Sequence, residues 1–354
     1  MSRRIVSVTT ITPTGQARAN AVFPPGNPTG GRPAEVAYLP FDLGFAVRRF
    51  YDRFAPRALV LVEGDYWPLV LREARRRGLR VAVVNGRVGD RSFARLRRLR
   101  PFLGPLFAGI DRFGVQTGDD RDRLVALGIP PERITVTGNL KYESPEPPRQ
   151  PELEEALRTL AAGRPILLAG STMAGEEEQV LAAHETAGGG ARALLVLAPR
   201  HPERWNEVEA LLRARGVAAV RRSGLPATGG SPDVVLLDSM GELAALYRVA
   251  AAAFIGGTLV PTGGHNPLEA ARFGVPVAAG SSMHNFREIA EHFDRAAAWR
   301  RASDARGLGE IWKEWLDDPA AARDQGARAA RLVEENRGAL ERTLAMLAGL
   351  TPLQ

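Results

Sequence analysis

Residues Ala251-Ala-Ala-Phe-Ile-Gly-Gly-Thr-Leu-Val-Pro-Thr-Gly-Gly-His-Asn-Pro-Leu-Glu269 read as a strand that ends in a glycine-rich loop and restarts as a helix. Asn266 fits the N-cap, Pro267 the first helical position and Glu269 the third, which is a capping box in its own right. Capping accounts for Asn, Pro and Glu. It leaves the glycines, which lie before a helix at the carboxyl end of a strand, where open α/β sheets bind ligands and free helix N–H groups attract phosphate. The stretch is therefore read as a nucleotide site, with Glu269 placed to accept hydrogen bonds from ribose hydroxyls.

The same strand-then-loop pattern recurs on both sides of it. Pro165 to Ala169, Ala193 to Ala198, Val217 to Arg221, Val234 to Leu237, Ala251 to Ile255 and Val275 to Ala279 are short apolar runs separated by helical periods, with mostly helix after Ala305. An earlier series runs through Ile5 to Thr10, Ala58 to Val62, Val81 to Asn85, Arg112 to Gln116 and Ile134 to Thr137. Each series predicts a parallel, helix-covered sheet. Between them lies Glu143-Ser-Pro-Glu-Pro-Pro-Arg-Gln-Pro151, whose four prolines remove backbone donors and oppose helix. The expected organisation is a first domain over 1–143, a linker over 144–152 and a second domain over 153–354, with the last helix a candidate to pack back on the first. Two doubly wound domains facing each other across a cleft are expected. Pro24 to Pro33, rich in Pro and Gly, reads as a flexible loop.

Composition narrows the chemistry. The 354 residues are 45% hydrophobic and 25% charged, an ordinary globular balance, and no apolar run approaches the ~18 residues of a membrane-spanning helix. The amino terminus is too short in its apolar part for a signal peptide, so a cytoplasmic chain is expected. There are no cysteines, which excludes a disulfide framework, a Cys-ligated metal and a thiol nucleophile. The five His show no metal-type pairing and no Gly-x-Ser-x-Gly elbow occurs, so metallohydrolase and serine-hydrolase readings fall away. The net charge of +7 is one patch: Arg72 to Arg100 holds eleven Arg against Glu73 and Asp90, leaving the remainder slightly acidic. Such a patch is either a solvated helix face or a surface for phosphate or anionic lipid. Nucleic acid is disfavoured, since no helix-turn-helix, zinc-finger or interleaved aromatic pattern accompanies it.

Three more stretches carry candidate chemistry. In Leu197-Ala-Pro-Arg-His-Pro-Glu-Arg204 two prolines stiffen the backbone around Arg200, which suits bidentate phosphate recognition, a structural salt bridge being the alternative. Asp238-Ser-Met-Gly-Glu242 opens a helix and offers N–H groups beside a carboxylate, or is only a cap. Val62-Glu-Gly-Asp-Tyr-Trp-Pro68 puts Glu63 and Asp65 directly after a strand, a helix cap when taken alone. Lys141 stands out because 45 of the 47 basic residues are Arg; a compact charge for a substrate anion would explain it.

Taken together, these stretches resemble the Kdo transferases of lipopolysaccharide synthesis, which move 3-deoxy-D-manno-octulosonic acid (Kdo) from CMP-Kdo to a lipid A precursor. The resemblance spans essentially the whole chain. It rests on Thr9-Thr-Ile-Thr-Pro-Thr-Gly15, Tyr38-Leu-Pro-Phe-Asp42, Glu63 with Trp67-Pro68, Asn85-Gly-Arg87, Val136-Thr-Gly-Asn-Leu-Lys141, Ser171-Thr172 with Gly175-Glu-Glu177, Pro199 to Arg204, Met240-Gly-Glu242, Gly263 to Glu269 and Asn285-Phe-Arg-Glu-Ile289. It implies a GT-B fold of two Rossmann-like domains, the acceptor in the first and the nucleotide sugar in the second. CMP is then held by Pro199 and Arg200, by Met240, Gly241 and Glu242, and by Asn266, Pro267, Leu268 and Glu269. Glu63 and Lys141 match residues that stabilise the transition state, and no metal or other cofactor is implied.

The chain departs from the family in several places. Members begin with a membrane anchor and a first βα unit whose Gly-Glu motif carries the general base, whereas no Glu precedes Glu35 here. On the resemblance, base and anchor are both missing, so either the start was assigned too far downstream or transfer has been lost. Gly64, Asp65 and Tyr66 stand where the family usually has Thr, Glu and Leu, and Met173 where it usually has His. The expectation is an inverting transferase acting on a lipid IVA-type acceptor, peripheral on the cytoplasmic face of the inner membrane and drawn to its anionic surface by the 72–100 segment. The rivals are a GT-B transferase using another nucleotide sugar and a base-less CMP-Kdo-binding protein without turnover.

Overall fold

The computed structural model describes residues 6–24, 34–98, 104, 106–225 and 230–350. All but Pro24 of the loop read from Pro24 to Pro33 lies outside them, as does Arg100 at the end of the basic stretch. The chain forms two compact units. Unit 1 takes Met1–Leu140 together with Gly338–Gln354, and unit 2 takes Lys141–Arg337.

Unit 1 carries strands β1 (Val6–Thr10), β2 (Ala34–Tyr38), β3 (Ala58–Val62), β4 (Arg80–Gly86), β5 (Arg112–Val115) and β6 (Ile134–Val136). Every pairing is parallel, but there are two sheets rather than the single one expected: β1 pairs with β2, and β3 to β6 form a second sheet in sequence order. β2 was not expected. Its Ala-Glu-Val-Ala-Tyr sequence has no apolar run, because the strand pairs only with β1 and leaves Tyr38 half exposed. β3 shows the opposite problem, an apolar run of which Val60 and Val62 stay 46% and 60% exposed. The core gathers Val47, Tyr51, Val70, Leu71, Val81, Val83 and Phe113. Tyr51 is fully buried and donates its hydroxyl to the Val70 carbonyl (3.0 Å). Burial, with Glu73 adding and Arg77 opposing, pushes its pKa up to about 12.

Several motif residues of unit 1 are braces. The Asp42 carboxylate accepts the Leu69 and Val70 N–H groups (3.0 Å each), capping the helix Pro68–Arg76 from a distant part of the chain. Asn85, at a left-handed φ of 53°, accepts the Leu140 N–H (2.9 Å), while its carbonyl accepts from the Gln116 amide (2.9 Å). The Gln116 oxygen accepts in turn from Asn139 (3.1 Å). The last helix, Ala339–Ala348, belongs to this unit: Arg342 donates to the Thr137 carbonyl (2.9 Å), and Met346 lies against Gly114 of β5.

Unit 2 is built on one seven-stranded parallel sheet of β7 (Ile166–Thr172), β8 (Leu194–Pro199), β9 (Ala219–Arg221), β10 (Val234–Leu236), β11 (Ala252–Ile255), β12 (Val277–Ala279) and β13 (Arg300–Arg301). Its order is β13-β12-β11-β7-β8-β10-β9. Side chains of β7 alternate between two cores, Ile166 and Leu168 facing one and Leu167 and Ala169 the other, with fully buried Trp312 in the second. Burial on both faces is why these strands read as continuous apolar runs. β8 lies on one side of β7 and β11 on the other, so the chain reverses its direction across the sheet at β7. The carboxyl ends of β7 and β11 therefore flank the topological switch point, where such sheets bind ligands.

Candidate functional site

The loop after β7 holds two adjacent acids with different duties. Glu176, fully buried, accepts N–H groups from Gly257 (2.5 Å), Thr258 (2.8 Å) and Leu259 (2.9 Å) of the β11 loop and from Met173 of its own loop (2.9 Å). Burial raises its pKa, and the four backbone donors work against that rise. Glu177 turns toward β8, accepting two hydrogen bonds from Arg204 (2.6 and 3.1 Å) and one from the Thr172 hydroxyl (2.9 Å). A Cβ on Gly256 would overlap the Ser171 carbonyl, and one on Gly280 the Thr258 carbonyl. Close approach of three loop backbones thus explains these glycines, in addition to any ligand.

Arg200 follows β8, its N–H donated to the Thr172 carbonyl (2.9 Å), so that the residue is fixed at its backbone while its side chain is exposed. Its charge is felt at Glu269 and at His265. Among the described residues no carboxylate pairs with it; the salt bridge of this loop belongs to Arg204 and Glu177. After β10, Asp238 turns back to accept the backbone and hydroxyl of Ser223 (2.8 and 2.6 Å). Glu242 accepts from Arg222 (3.0 and 2.8 Å) and from the Ser239 hydroxyl. Burial opposes ionisation of Glu242, but these bonds prevail and hold its pKa below the usual value. Met240 is exposed, and Gly241 takes a left-handed φ of 88° with open space where a Cβ would lie.

After β11 the helix is shorter than expected, one turn over Leu268–Ala271, and starts after Pro267 instead of at it. The Asn266 side chain accepts the Leu268 N–H (3.2 Å). Burial raises the Glu269 pKa, with Arg272, Asn266 and Arg200 opposing. His265 is held neutral, its pKa lowered to about 4 by burial and then by Arg200 and His201. Tyr247, just beyond the β10 loop, is buried within reach of the Glu269 charge. Pro199, Arg200, Met240 to Glu242 and Asn266 to Glu269 thus emerge from the carboxyl ends of β8, β10 and β11 in one sheet. The sequence reading had no role for Glu176, Glu177 or His265.

Lys141 sits in the short 3₁₀ turn Leu140–Glu143, with its ammonium 5.3 Å from the centre of the Phe286 ring, a cation–π distance. The neighbouring Tyr142 is buried, and its hydroxyl meets His292 Nδ1 at 3.1 Å. Phe286, within the Asn285 to Ile289 stretch, is thus the ring that faces Lys141. In unit 1, Glu63 follows β3 directly with a left-handed φ of 65°, unfavourable for a residue with a side chain, while its N–H donates to the Val84 carbonyl (2.9 Å). Among the described residues no three His, Asp or Glu are grouped as a metal site requires. None of their helices is long and apolar enough to cross a membrane.

Two Rossmann-like parallel α/β units, one presenting a polar loop set at the carboxyl ends of its strands, define a GT-B fold. Solved structures share the fold: HepE of Anabaena with UDP superposes at a TM-score of 0.61 with 12% identity, over 97% of this chain and 91% of that one. The UDP-GlcNAc 2-epimerase of Neisseria meningitidis does so at 0.60 with 12% identity, over 98% and 99%. The family model for 3-deoxy-D-manno-octulosonic-acid transferase (kdotransferase) matches residues 2–144. The 3-deoxy-D-manno-octulosonic acid transferase of Haemophilus influenzae is 34% identical over 97% of this chain and 79% of its own length, and that of Bordetella pertussis 36% over 96% and 79%. The chain belongs to the 3-deoxy-D-manno-octulosonic acid transferase family.

Proposed function

We propose that this chain transfers Kdo from CMP-Kdo to a lipid A precursor of the lipid IVA type in lipopolysaccharide synthesis, with inversion at the anomeric carbon. The observation that carries the reading is the emergence of Arg200, Met240 to Glu242 and Asn266 to Glu269 from the carboxyl ends of β8, β10 and β11 in one sheet, in a chain of this family. The donor is assigned to unit 2 and the acceptor to unit 1. An acceptor hydroxyl oxygen bonds to the anomeric carbon of Kdo as the bond from that carbon to the phosphate oxygen breaks; the electron pair departs on CMP and the hydroxyl proton is released to solvent. Arg200 and the loop N–H groups offset the charge growing on the phosphate, and Glu242 and Glu269 orient the nucleoside. Glu63 and Lys141 stabilise the transition state.

Calorimetric titration with CMP, CDP, UMP and UDP tests the donor assignment. CMP should bind best; preference for UDP would overturn it. Within the same assay Arg200→Ala should weaken CMP binding by roughly 1.5–3 kcal/mol, the worth of a charge-assisted hydrogen bond to phosphate. An unchanged affinity would remove Arg200 from the site.

The lipid acceptor places the enzyme at the cytoplasmic face of the inner membrane, and the Arg72 to Arg100 stretch is the surface assigned to anionic lipid. Part of that charge is spent inside the protein: Arg76 and Arg77 both bond Glu73 (2.7 Å each), and Arg80 pairs with Asp111 (3.2 Å). Hydrogen bonding from Arg76 above all, against the opposing effect of burial, lowers the Glu73 pKa to about 2. The arginines on the helix Asp90–Arg98 are the ones to neutralise. Vesicles containing anionic lipid should be bound in a salt-sensitive way, at about 1 kcal/mol per Arg near the surface, and Arg95→Gln with Arg98→Gln should weaken that binding. Equal binding to neutral vesicles would mark the helix as merely solvated.

A further inference from the structure

We propose that Glu176 is the positioning residue of the donor site: its carboxylate fixes the β11 loop, and through it the placement of Asn266 and Glu269. The proposal deepens the assignment of unit 2 to the CMP-sugar and rests on it.

A carboxylate offers about four lone-pair sites. Here Oε1 accepts from Thr258 and Leu259 and Oε2 from Gly257 and Met173, so backbone donors fill all four. The group is 0% exposed, and a buried charge is tolerated only with such compensation. The dependence runs both ways: if the loop left, it would strand the carboxylate, and if the carboxylate left, three loop N–H groups would be buried without acceptors. A charge at the start of the helix Glu177–Thr186 could serve that helix from solvent. Bonds reaching across the sheet to the β11 loop are not explained by helix capping.

From those three residues the rest of the loop is suspended. The Gly257 carbonyl accepts the Gly264 N–H (2.7 Å) and the Thr262 hydroxyl (3.0 Å). The Thr258 carbonyl accepts the Ser282 N–H (3.0 Å), and the Ser282 hydroxyl accepts the Gly263 N–H (3.0 Å). Gly264 is followed directly by His265 and Asn266. The chain of bonds therefore runs from Glu176 to Gly264, two residues before the donor-binding cluster at Asn266. It also takes the N–H groups flanking the switch point out of use for an incoming phosphate, leaving that task to Arg200 and the later part of the loop.

The test compares Glu176→Gln and Glu176→Asp with the wild-type chain in CMP calorimetry, thermal melting and amide hydrogen exchange. In the wild type, the Gly257, Thr258 and Leu259 amides should exchange slowly for a loop, and CMP should change them little. Glu176→Gln turns an NH2 group toward N–H donors, so these three amides should lose protection while those of β8 and β10 keep theirs. CMP affinity of the folded protein should fall roughly tenfold or more, and Glu176→Asp, which keeps the charge, should recover part of it. Trp312→Phe, a core change away from the loop, should lower the melting temperature and leave CMP affinity unmoved. A folded Glu176→Gln protein that binds CMP like the wild type overturns the proposal. Should Glu176→Gln fail to fold, unprotected loop amides in the wild type, or a Glu176→Asp protein with wild-type loop protection and tenfold weaker CMP binding, overturn it instead. If the wild type prefers UDP to CMP, the donor assignment fails, while the exchange data still decide whether Glu176 holds the loop.

Discussion

Glu177→Ala should destabilise unit 2 by about 3–5 kcal/mol, the cost of breaking a buried ion pair from one side. The Glu177 side chain is 2% exposed and that of Arg204 14%, and the pair is made by two hydrogen bonds. A guanidinium keeps its proton at any working pH, so Arg204 cannot escape the loss by becoming neutral. Without the carboxylate its remaining ion-pair partner among the described residues is Glu207, exposed and at 2.9 Å. Urea unfolding followed by tryptophan fluorescence reads this directly, since Trp205, Trp299, Trp312 and Trp315 all lie in unit 2. Replacing both partners, as Glu177→Leu with Arg204→Met, should recover much of the loss, because an apolar pair strands no charge. A loss below about 1 kcal/mol for Glu177→Ala would mean that solvent reaches the pair and that it behaves as a surface bridge.

Lys141→Met should lower Kdo transfer by roughly 10²–10³-fold relative to the wild-type chain, the usual loss when one preorganised electrostatic group is removed. CMP affinity should change little, since Lys141 is assigned to the transition state and not to CMP. The substitution should also leave folding intact: the side chain is only partly buried, and Met can still cover the Phe286 ring. Initial rates with CMP-Kdo and a lipid A precursor, alongside CMP titration of the same preparations, separate the two effects. A wild-type rate would remove Lys141 from the chemistry. A parallel fall in rate and CMP affinity would move it to donor binding.

The strands buried on both faces were legible because each is an uninterrupted apolar run. β13 was not, being two exposed arginines that pair with β12 only through their backbone. Arg200, Asn266 and Glu269 could be picked out since Pro and Gly beside them mark loops at strand ends, a local signal. Glu176 could not be, because an acid pair opening a helix looks like ordinary dipole compensation, and its true partners lie more than eighty residues further on. The glycines taught the same lesson from the other side. Their local reading was a phosphate cradle, whereas Gly256 is required where its backbone nearly touches that of Ser171 at the end of β7. Asn85 belongs with them, its bond to the Leu140 N–H crossing 55 positions of sequence.

The return of Ala339–Ala348 to β5 also sets the order in which the two units can be completed on a ribosome. Unit 1 is begun first but is not covalently whole until the final helix has emerged, while unit 2, continuous from Lys141 to Arg337, has all its residues earlier. A nascent chain thus holds β3 to β6 with the Gly114 face awaiting Met346 while the seven-stranded sheet closes. Until Ala339–Ala348 is made, unit 1 lacks the helix that packs on β5, whereas unit 2 already has every residue it needs.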